Sequence, residues 1–151
     1  MADGNKINLI VVTPYRNFYE GFVSSVTIKS LDGEIGIMAG HSPMVAALVP
    51  GVCTVRIDDD YKYFVCSEGY AEIGQKLALI VCNSAEWPED IDIVQAINSY
   101  KEACANTDKQ LTKDMDHKKQ RAKARLHLVE LHGNDKKKER LKALLDESPL
   151  S

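Results

Sequence analysis

Short runs of apolar and β-branched residues, separated by polar turn residues, fill the first half of the chain. One run spans Ile7 to Val12, and two more, Val52 to Ile57 and Tyr61 to Cys66, flank the triplet Asp58-Asp59-Asp60. A polar triplet between two runs of this composition predicts a β-hairpin. Many short strands at close spacing predict a sandwich or barrel. Phe22, Val26 and Ile28 share one parity, which predicts that they lie on one face of a strand.

The stretch from Gly33 to Met44 contains three glycines and a proline, which leave no room for a helix. It predicts a strand, a tight bend and a second strand. Gly36 offers no side chain to its face of the first strand, so another molecule can approach the backbone there. His41-Ser42-Pro43 then places polar groups at the end of that strand, and Pro43 favours an extended Ser42.

The period of the pattern changes at Trp87-Pro88-Glu89-Asp90, where the proline and the acids suit a first helical turn. Apolar residues then recur at helical spacings and define one face of each of two helices. They are Ile93, Ile97, Tyr100, Cys104 and Leu111 in the first helix, and Met115, Ala122, Leu126 and Val129 in the second.

Residues Asn106 to Asp108 are the predicted break between these helices, and Gly133-Asn134-Asp135 ends the second. The basic stretch from Lys136 to Leu145 is either a third short helix or a frayed tail. We therefore predict an α+β fold with segregated parts. An N-terminal antiparallel β-sandwich domain spans residues 1–86, and a C-terminal α-helical hairpin with a basic tail spans residues 87–151.

The charge balance separates these two parts only weakly. Residues before Pro88 include six basic and ten acidic side chains, and those after it thirteen and twelve, which together give the net charge of −3. This balance does not favour a nucleic-acid partner. The four cysteines lack metal-site spacing, so we expect buried thiols and no metal. No leader peptide or membrane span is predicted, so we expect no direct membrane insertion.

Candidate chemistry is sparse. His41 as a base and Ser42 as a nucleophile define a hydrolase hypothesis, but sequence neighbours on an extended backbone do not face each other. No acid lies between His117 and Val129, so the second helix presents a basic face that suits an acidic groove or is simply solvated. Its members are Lys118, Lys119, Arg121, Lys123 and Arg125. A free-standing adaptor that binds an acidic protein partner is one hypothesis for this face.

The segment from Gly33 to Met44 resembles the glycine and His-x-Pro signature of epsilon subunits of F-type ATP synthases. Further matches follow in the family's order, and the resemblance covers about residues 7 to 132. They are Leu48-Val49-Pro50-Gly51, Ser67-Glu68-Gly69-Tyr70-Ala71-Glu72, and Ala85-Glu86 leading into Ile91-Asp92. The resemblance implies a noncatalytic rotor subunit of a proton-translocating complex. It also implies a location at the cytoplasmic face of a bacterial membrane, with the thylakoid stromal face as the alternative.

The same resemblance implies the partners. The sandwich would bind the gamma subunit and the membrane rotor ring, and the helices would reach the catalytic alpha and beta subunits and suppress ATP hydrolysis. The basic face defined above would make that inhibitory contact. The rotor contact would use Gly33, Glu34, Gly36, His41, Ser42 and Pro43.

Some family members also bind ATP through an Ile-Asp-x-x-Arg-Ala motif and an Arg-Ala-x-x-Arg-Leu motif. The residues that match here are Ile91, Asp92, Ala96, Arg121 and Arg125. Gln95 occupies the arginine position of the first motif, and a neutral amide cannot replace a guanidinium that pairs with phosphate. We therefore expect weak regulatory ATP binding or none. For Asp92 the simpler role is stabilisation of the helix end.

Overall fold

The computed structural model describes residues 5–105 and 112–147. Within them, ten strands precede a short 3-10 helix, Pro88–Asp90, and three α-helices. The strands are β1 (Ile7–Val12), β2 (Asn17–Val23), β3 (Ser25–Ser30), β4 (Gly33–Ile37), β5 (Met44–Leu48), β6 (Gly51–Ile57), β7 (Asp60–Cys66), β8 (Gly69–Ile73), β9 (Leu77–Cys82) and β10 (Ala85–Glu86). The helices are α1 (Ile93–Ala105), α2 (Thr112–His132) and α3 (Asp135–Glu147).

The strands form one continuous sheet that folds over a single core. Their order is β10-β7-β6-β3-β5-β8-β9-β1-β2, with β4 also paired to β3. The pairing of β1 with β9 is parallel, and the other described pairings are antiparallel. β2 contacts β6, and side chains from both halves of the sheet enter one buried cluster, so the sheet forms a two-layered sandwich. The fold class predicted from the sequence is confirmed.

The alternation of buried and exposed residues explains these strands, with one correction. In β1 the side chains of Ile7, Leu9 and Val11 are fully buried. The prediction that Phe22 lies on the same strand face as Val26 and Ile28 is wrong, because Phe22 is 55% exposed whereas the other two side chains are fully buried. A bend at Ser24 separates β2 from β3 and shifts the alternation by one residue.

Trp87 closes one end of the sandwich core. Its ring stacks on Phe18 with centroids 4.7 Å apart and meets Phe64 edge-on at 5.9 Å. The chain changes from strand to helix immediately afterwards, at Pro88. This change falls where the sequence predicts the division at residues 86 and 87. The independence of the two parts as domains stays a prediction.

A second apolar core joins the helices to the outer face of β6 and β7. On the sandwich side it uses Val65, with Val52 and Tyr63 partly buried. The segment before α1 contributes Ile91, and the helices contribute Ile93, Ala96, Ile97, Ala124, Leu126, Leu128, Val129 and Leu141. The predicted faces are thus confirmed at Ile93, Ile97, Ala122, Leu126 and Val129. Cys104 is exposed instead, and Leu111 and the predicted break at 106–108 lie outside the described residues.

The basic stretch after Gly133 is a helix rather than a frayed tail. α2 ends at His132, as predicted, and Gly133 N donates a hydrogen bond to Val129 O at 2.9 Å. A Cβ at Gly133 would lie 2.6 Å from that same oxygen, so only glycine fits the turn. Asn134 then caps α3, because its side-chain oxygen accepts a hydrogen bond from Lys137 N at 2.8 Å.

Candidate functional site

The basic face of α2 lies against carboxylates of the sandwich. Arg125 Nη2 donates to Glu86 Oε2 at 3.2 Å, and Arg125 Nε lies 2.7 Å from Glu86 Oε1. Arg121 Nη2 lies 2.9 Å from Glu68 Oε1, which also accepts a hydrogen bond from Asn83 Nδ2. Glu86 belongs to β10 and Glu68 to the turn between β7 and β8. Strand ends therefore position both acids opposite the helix.

These ion pairs are partly withdrawn from water. The side chains of Arg125 and Glu86 are 16% and 26% exposed, and those of Arg121 and Glu68 are 42% and 20% exposed. Partial burial strengthens the attraction between opposite charges, but the removal of the charged groups from water is itself unfavourable. Glu68 Oε2 and the Nε atoms of both arginines are buried without an aligned hydrogen-bond partner. A cavity of about 470 Å³ borders the two arginines.

Two lysines of the basic face, Lys118 and Lys119, contact α1. Lys118 Nζ lies 3.0 Å from Glu102 Oε2, and Lys119 Nζ lies 5.7 Å from the centre of the Tyr100 ring. Lys123 is exposed. Four of the five residues predicted to face an acidic partner therefore have a partner within this chain. The predicted contact of this basic face with the catalytic subunits stays a prediction.

The residues of the nucleotide motifs are divided between two environments. Ile91 and Ala96 are buried in the second apolar core. Asp92 Oδ1 accepts a hydrogen bond from Gln95 N at 3.1 Å, which is the helix-end role expected for this acid. Gln95 Oε1 accepts a hydrogen bond from Arg125 Nη2 at 3.2 Å. Gln95, Arg121 and Arg125 line the 470 Å³ cavity together, but carboxylates already occupy both guanidinium groups.

The predicted rotor-contact residues lie at opposite ends of β4. Gly33 and Glu34 begin the strand at the turn from β3, and both are exposed. The loop from His41 to Pro43 follows the far end, beyond Ile37, which pairs with Val26. Four residue steps of a strand span about 13 Å. Glu34 and His41 therefore lie towards different ends of β4, and Gly36 between them is exposed with open space around it.

His41 and Ser42 do not form a catalytic pair. The His41 Nδ1 atom lies 2.7 Å from the backbone oxygen of Ser42, so this ring nitrogen is engaged with the backbone rather than with the Ser42 hydroxyl group. A nucleophilic serine needs its hydroxyl group within hydrogen-bond reach of a base. The geometry of this loop gives the hydrolase hypothesis no support.

The buried thiols of Cys66 and Cys82 are held in their neutral form. Cys53 Sγ and Cys66 Sγ lie 3.5 Å apart inside the sandwich core. A hydrogen bond with Cys53 is the largest cause that raises the pKa of the Cys66 thiol. The pKa of the Cys82 thiol is raised mainly by a hydrogen bond with Cys66, and burial is the second cause. Neutral thiols are poor nucleophiles and poor metal ligands. Within residues 5–105 and 112–147, no cluster of three or more potential metal ligands occurs.

One apolar surface was not found from the sequence. We define the open face as the outward-facing residues of β5, β8, β9, β1 and β2. Its apolar members are Val45, Ala47, Tyr70, Leu77, Leu79, Val81, Ile10, Val12 and Phe22. The strand register places Ala47, Tyr70, Val81 and Val12 in one row across four strands. The described helices pack on β6 and β7 instead and leave this row uncovered.

Patterning could have indicated this surface. β1 and β9 are apolar at almost every position, although only alternate side chains enter the core. A strand with two apolar faces needs a second packing partner. Among the described parts of the chain, no helix is long and apolar enough to cross a membrane.

Comparison with known proteins defines the class to which this sandwich belongs. The family model described as "ATP synthase, Delta/Epsilon chain, beta-sandwich domain" matches residues 6–88. The chain belongs to this ATP synthase family, as one of its epsilon chains.

Individual relatives of this chain are named ATP synthase epsilon chain. The ATP synthase epsilon chain of Clostridium perfringens (strain 13 / Type A) is 43% identical over 102 residues, which is 66% of this chain and 75% of that one. The ATP synthase epsilon chain of Caldicellulosiruptor saccharolyticus is 30% identical over 133 residues, which is 85% of this chain and 97% of that one. The resemblance proposed from the sequence motifs is confirmed.

A solved structure shares the fold. A chain in the Euglena gracilis mitochondrial ATP synthase, solved as OSCP/F1/c-ring in rotational state 1, superposes with a TM-score of 0.69 at 22% identity. The match covers 84% of this chain and 82% of that one. A chain of the Tetrahymena thermophila mitochondrial ATP synthase central stalk/c-ring gives a TM-score of 0.56 at 15% identity.

The ion pair of Arg125 with Glu86 predicts a measurable loss of stability on mutation. We expect Glu86→Gln to lower the free energy of unfolding of the helical part by about 1 to 3 kcal/mol, because it leaves a mostly buried guanidinium without its counter-charge. Urea denaturation of the isolated chain, followed by circular dichroism at 222 nm, measures this loss.

The matched control is Glu102→Gln. Glu102 is 68% exposed and pairs with Lys118, so its loss should cost no more than about 0.5 kcal/mol. Equal effects of the two substitutions would show that the pair with Arg125 is no stronger than a surface ion pair.

Proposed function

We propose that this chain is a noncatalytic central-stalk subunit of a proton-translocating F-type ATP synthase. It would couple the rotor to the catalytic head and restrain ATP hydrolysis through its helices. Membership of the epsilon-chain family supports this assignment. The observation that carries it is the open face, because a monomeric sandwich has no reason to keep an apolar row uncovered. We place the complex at the cytoplasmic face of a bacterial membrane, with the thylakoid stromal face as the alternative.

The two outer faces of the sandwich differ in how they are covered. One, on β6 and β7, packs against α2 of the same chain. The other is the open face, where Tyr70 is 47% exposed and Val45 is 69% exposed. Glu20 and Glu72 lie in the neighbouring row, which also carries Val45, Leu79 and Ile10. A mainly apolar surface that includes a few charged side chains is typical of a protein interface. We assign this face to the gamma subunit.

The turn between β3 and β4 supports a separate contact with the membrane ring. Leu31 is 71% exposed at this turn, and Gly33 and Glu34 follow it on the surface. Gly33 has a φ of +118°, a backbone conformation that residues other than glycine adopt only at a cost in free energy. The shape of this turn therefore depends on glycine. We assign the Gly33–Glu34 end to the ring and the His41–Pro43 loop, at the other end of β4, to the gamma side of the rotor.

The paired arginines suggest how the helices could leave the sandwich. Transfer of Arg121 and Arg125 from Glu68 and Glu86 to carboxylates of the catalytic alpha and beta subunits would exchange one set of ion pairs for another. Such an exchange has a small net free energy, because each guanidinium keeps a counter-charge in both positions. The ion pairs by themselves would then not oppose movement of the helices to an inhibitory extended position.

Weak regulatory ATP binding is the remaining part of the proposal. Phosphate oxygens would have to displace Glu68 and Glu86 from the arginines, and this competition lowers the affinity. Gln95 contributes no charge to offset that displacement. We therefore propose at most a weak site, formed by Gln95, Arg121 and Arg125 around the 470 Å³ cavity.

One cross-linking experiment tests both rotor contacts. In a Cys104→Ser background, we expect a benzophenone attached at Tyr70→Cys to label the gamma subunit in the assembled complex, and one at Glu34→Cys to label the ring subunit. The three remaining cysteines are buried and should not react with the label. Mass spectrometry of the adducts identifies the partners.

The control position is Asp59→Cys, in the exposed turn between β6 and β7. It lies on neither assigned surface and should give little adduct with either subunit. An active complex in which Tyr70→Cys labels no more gamma subunit than Asp59→Cys does would refute the assignment of the open face. The same comparison at Glu34→Cys, with the ring subunit, decides the second contact.

Removal of the helices should activate ATP hydrolysis severalfold if they inhibit it. Truncation after Asp90 is the suitable variant, because it retains Trp87 in the sandwich core. The double variant Glu68→Arg with Arg121→Glu should act in the same direction. It keeps an ion pair within the chain but presents the reversed charge to the catalytic subunits.

Both variants are measured as ATP hydrolysis by the reconstituted complex, with Lys142→Glu as the control on the exposed surface of α3. Unchanged hydrolysis after truncation would exclude inhibition by the helices. If truncation activates hydrolysis but the double variant Glu68→Arg with Arg121→Glu does not, the helices inhibit through contacts other than that of Arg121.

Gln95→Arg tests the nucleotide proposal. It places a third guanidinium beside Arg125, so the added repulsion is relieved when phosphate binds between them, and ATP affinity should rise about tenfold to a hundredfold. Calorimetry on the isolated chain measures it, with Asn98→Arg as the control on the exposed surface of α1. If Gln95→Arg binds no ATP at millimolar concentration, the proposed site is absent.

A further inference from the structure

The side chain of Lys137 joins α3 to the segment that leaves the sandwich. Its Nζ atom donates hydrogen bonds to three backbone oxygens, those of Pro88 at 3.0 Å, Glu89 at 2.6 Å and Ile91 at 2.8 Å. An ammonium group has three donors, and here all three have acceptors. The contact therefore uses the full capacity of the lysine and links residues 46 to 49 positions apart in the sequence.

These oxygens belong to the connector, which we define as residues 88–92. The residue before it, Trp87, is fixed in the sandwich core by Phe18 and Phe64. The connector leads directly into α1. Any movement of the helices away from the sandwich must therefore change the backbone of the connector or its distance from α3. Lys137 opposes both changes.

Apolar packing holds α3 in the same place. Leu141 is 4% exposed in the second core, and Leu144 and Leu145 pack against that core from the last turn of the helix. The turn at Gly133 and the cap at Asn134 fix the direction in which α3 leaves α2. α3 thus follows the C-terminal end of α2 and contacts the connector through Lys137. In this way it links the end of α2 to the segment that leads into α1.

We propose that α3 is a latch that keeps α1 and α2 folded on the sandwich, with Lys137 as the closing contact. When the three hydrogen bonds of Lys137 form, the C-terminal end of α2 stays beside the exit from Trp87. When they break, the connector is free to rearrange and the helices can leave. When the latch opens, less free energy is needed to move the helices into an inhibitory position. This regulatory consequence rests on the proposed function, whereas the latch itself does not.

Hydrogen exchange on the isolated full-length chain tests the latch directly. Lys137→Met keeps the aliphatic stem and removes the ammonium group. We expect amide exchange in α1 and α2 to accelerate about tenfold, which corresponds to about 1.4 kcal/mol. Exchange in β1 and β9 should stay unchanged, because the sandwich keeps its own core. Leu141→Ala, which removes apolar packing of α3, should accelerate the same helical amides.

Lys142→Met is the matched control, since Lys142 is exposed on the same helix. Unchanged exchange in α1 and α2 of both Lys137→Met and Leu141→Ala would overturn the proposal. Equal acceleration in the helices and in β1 and β9 would also overturn it, because it would indicate a general loss of stability. Faster amide exchange in the helices with unchanged ATP hydrolysis by the assembled complex would support the latch and contradict the proposed inhibition.

Discussion

The arrangement of this chain depends on the burial of one sheet face by α2. Leu128 and Val129 are fully buried in the second core, and Val65 of β7 lies beneath the helices. Burial of a side chain of this size contributes about 1.5 to 3 kcal/mol relative to exposure. The ion pairs of Arg121 and Arg125 add orientation to this packing, because a guanidinium must meet its carboxylate in a defined geometry. The apolar contact gives strength, and the charged contacts fix the register.

The two outer faces of the sandwich differ in whether helices of the same chain cover them. The side on β6 and β7 is satisfied by residues of the same chain. The open face has no such cover from the described helices, and its row through Tyr70 and Val81 continues across four strands. An uncovered apolar surface is typical of a chain that binds a partner, and this chain belongs to the ATP synthase epsilon-chain family.

Local patterns were enough to predict the fold but not the contacts between its parts. Alternation predicted the strands, and helical spacing predicted the faces that carry Ile97 and Leu126, because both signals depend on residues close in the sequence. The pairing of Arg121 with Glu68 joins residues 53 positions apart, and no periodicity reports such a distance. A single bend at Ser24 was enough to reverse the side on which Phe22 lies. The resemblance to a family supplied the class of protein, whereas the state of the basic face required three-dimensional geometry.

The parallel pairing of β1 with β9 has a consequence for how the protein folds. Asn8 pairs with Leu77 and Val12 with Val81, so the first strand acquires its second neighbour only when most of the sandwich sequence is available. Contacts between distant residues raise the contact order and slow folding. On a ribosome, β1 and β2 could form their hairpin early, but the β1–β9 seam would have to wait for residue 81 to emerge. The nascent chain would meanwhile expose the apolar edge of β1, which makes this interval the one most vulnerable to aggregation.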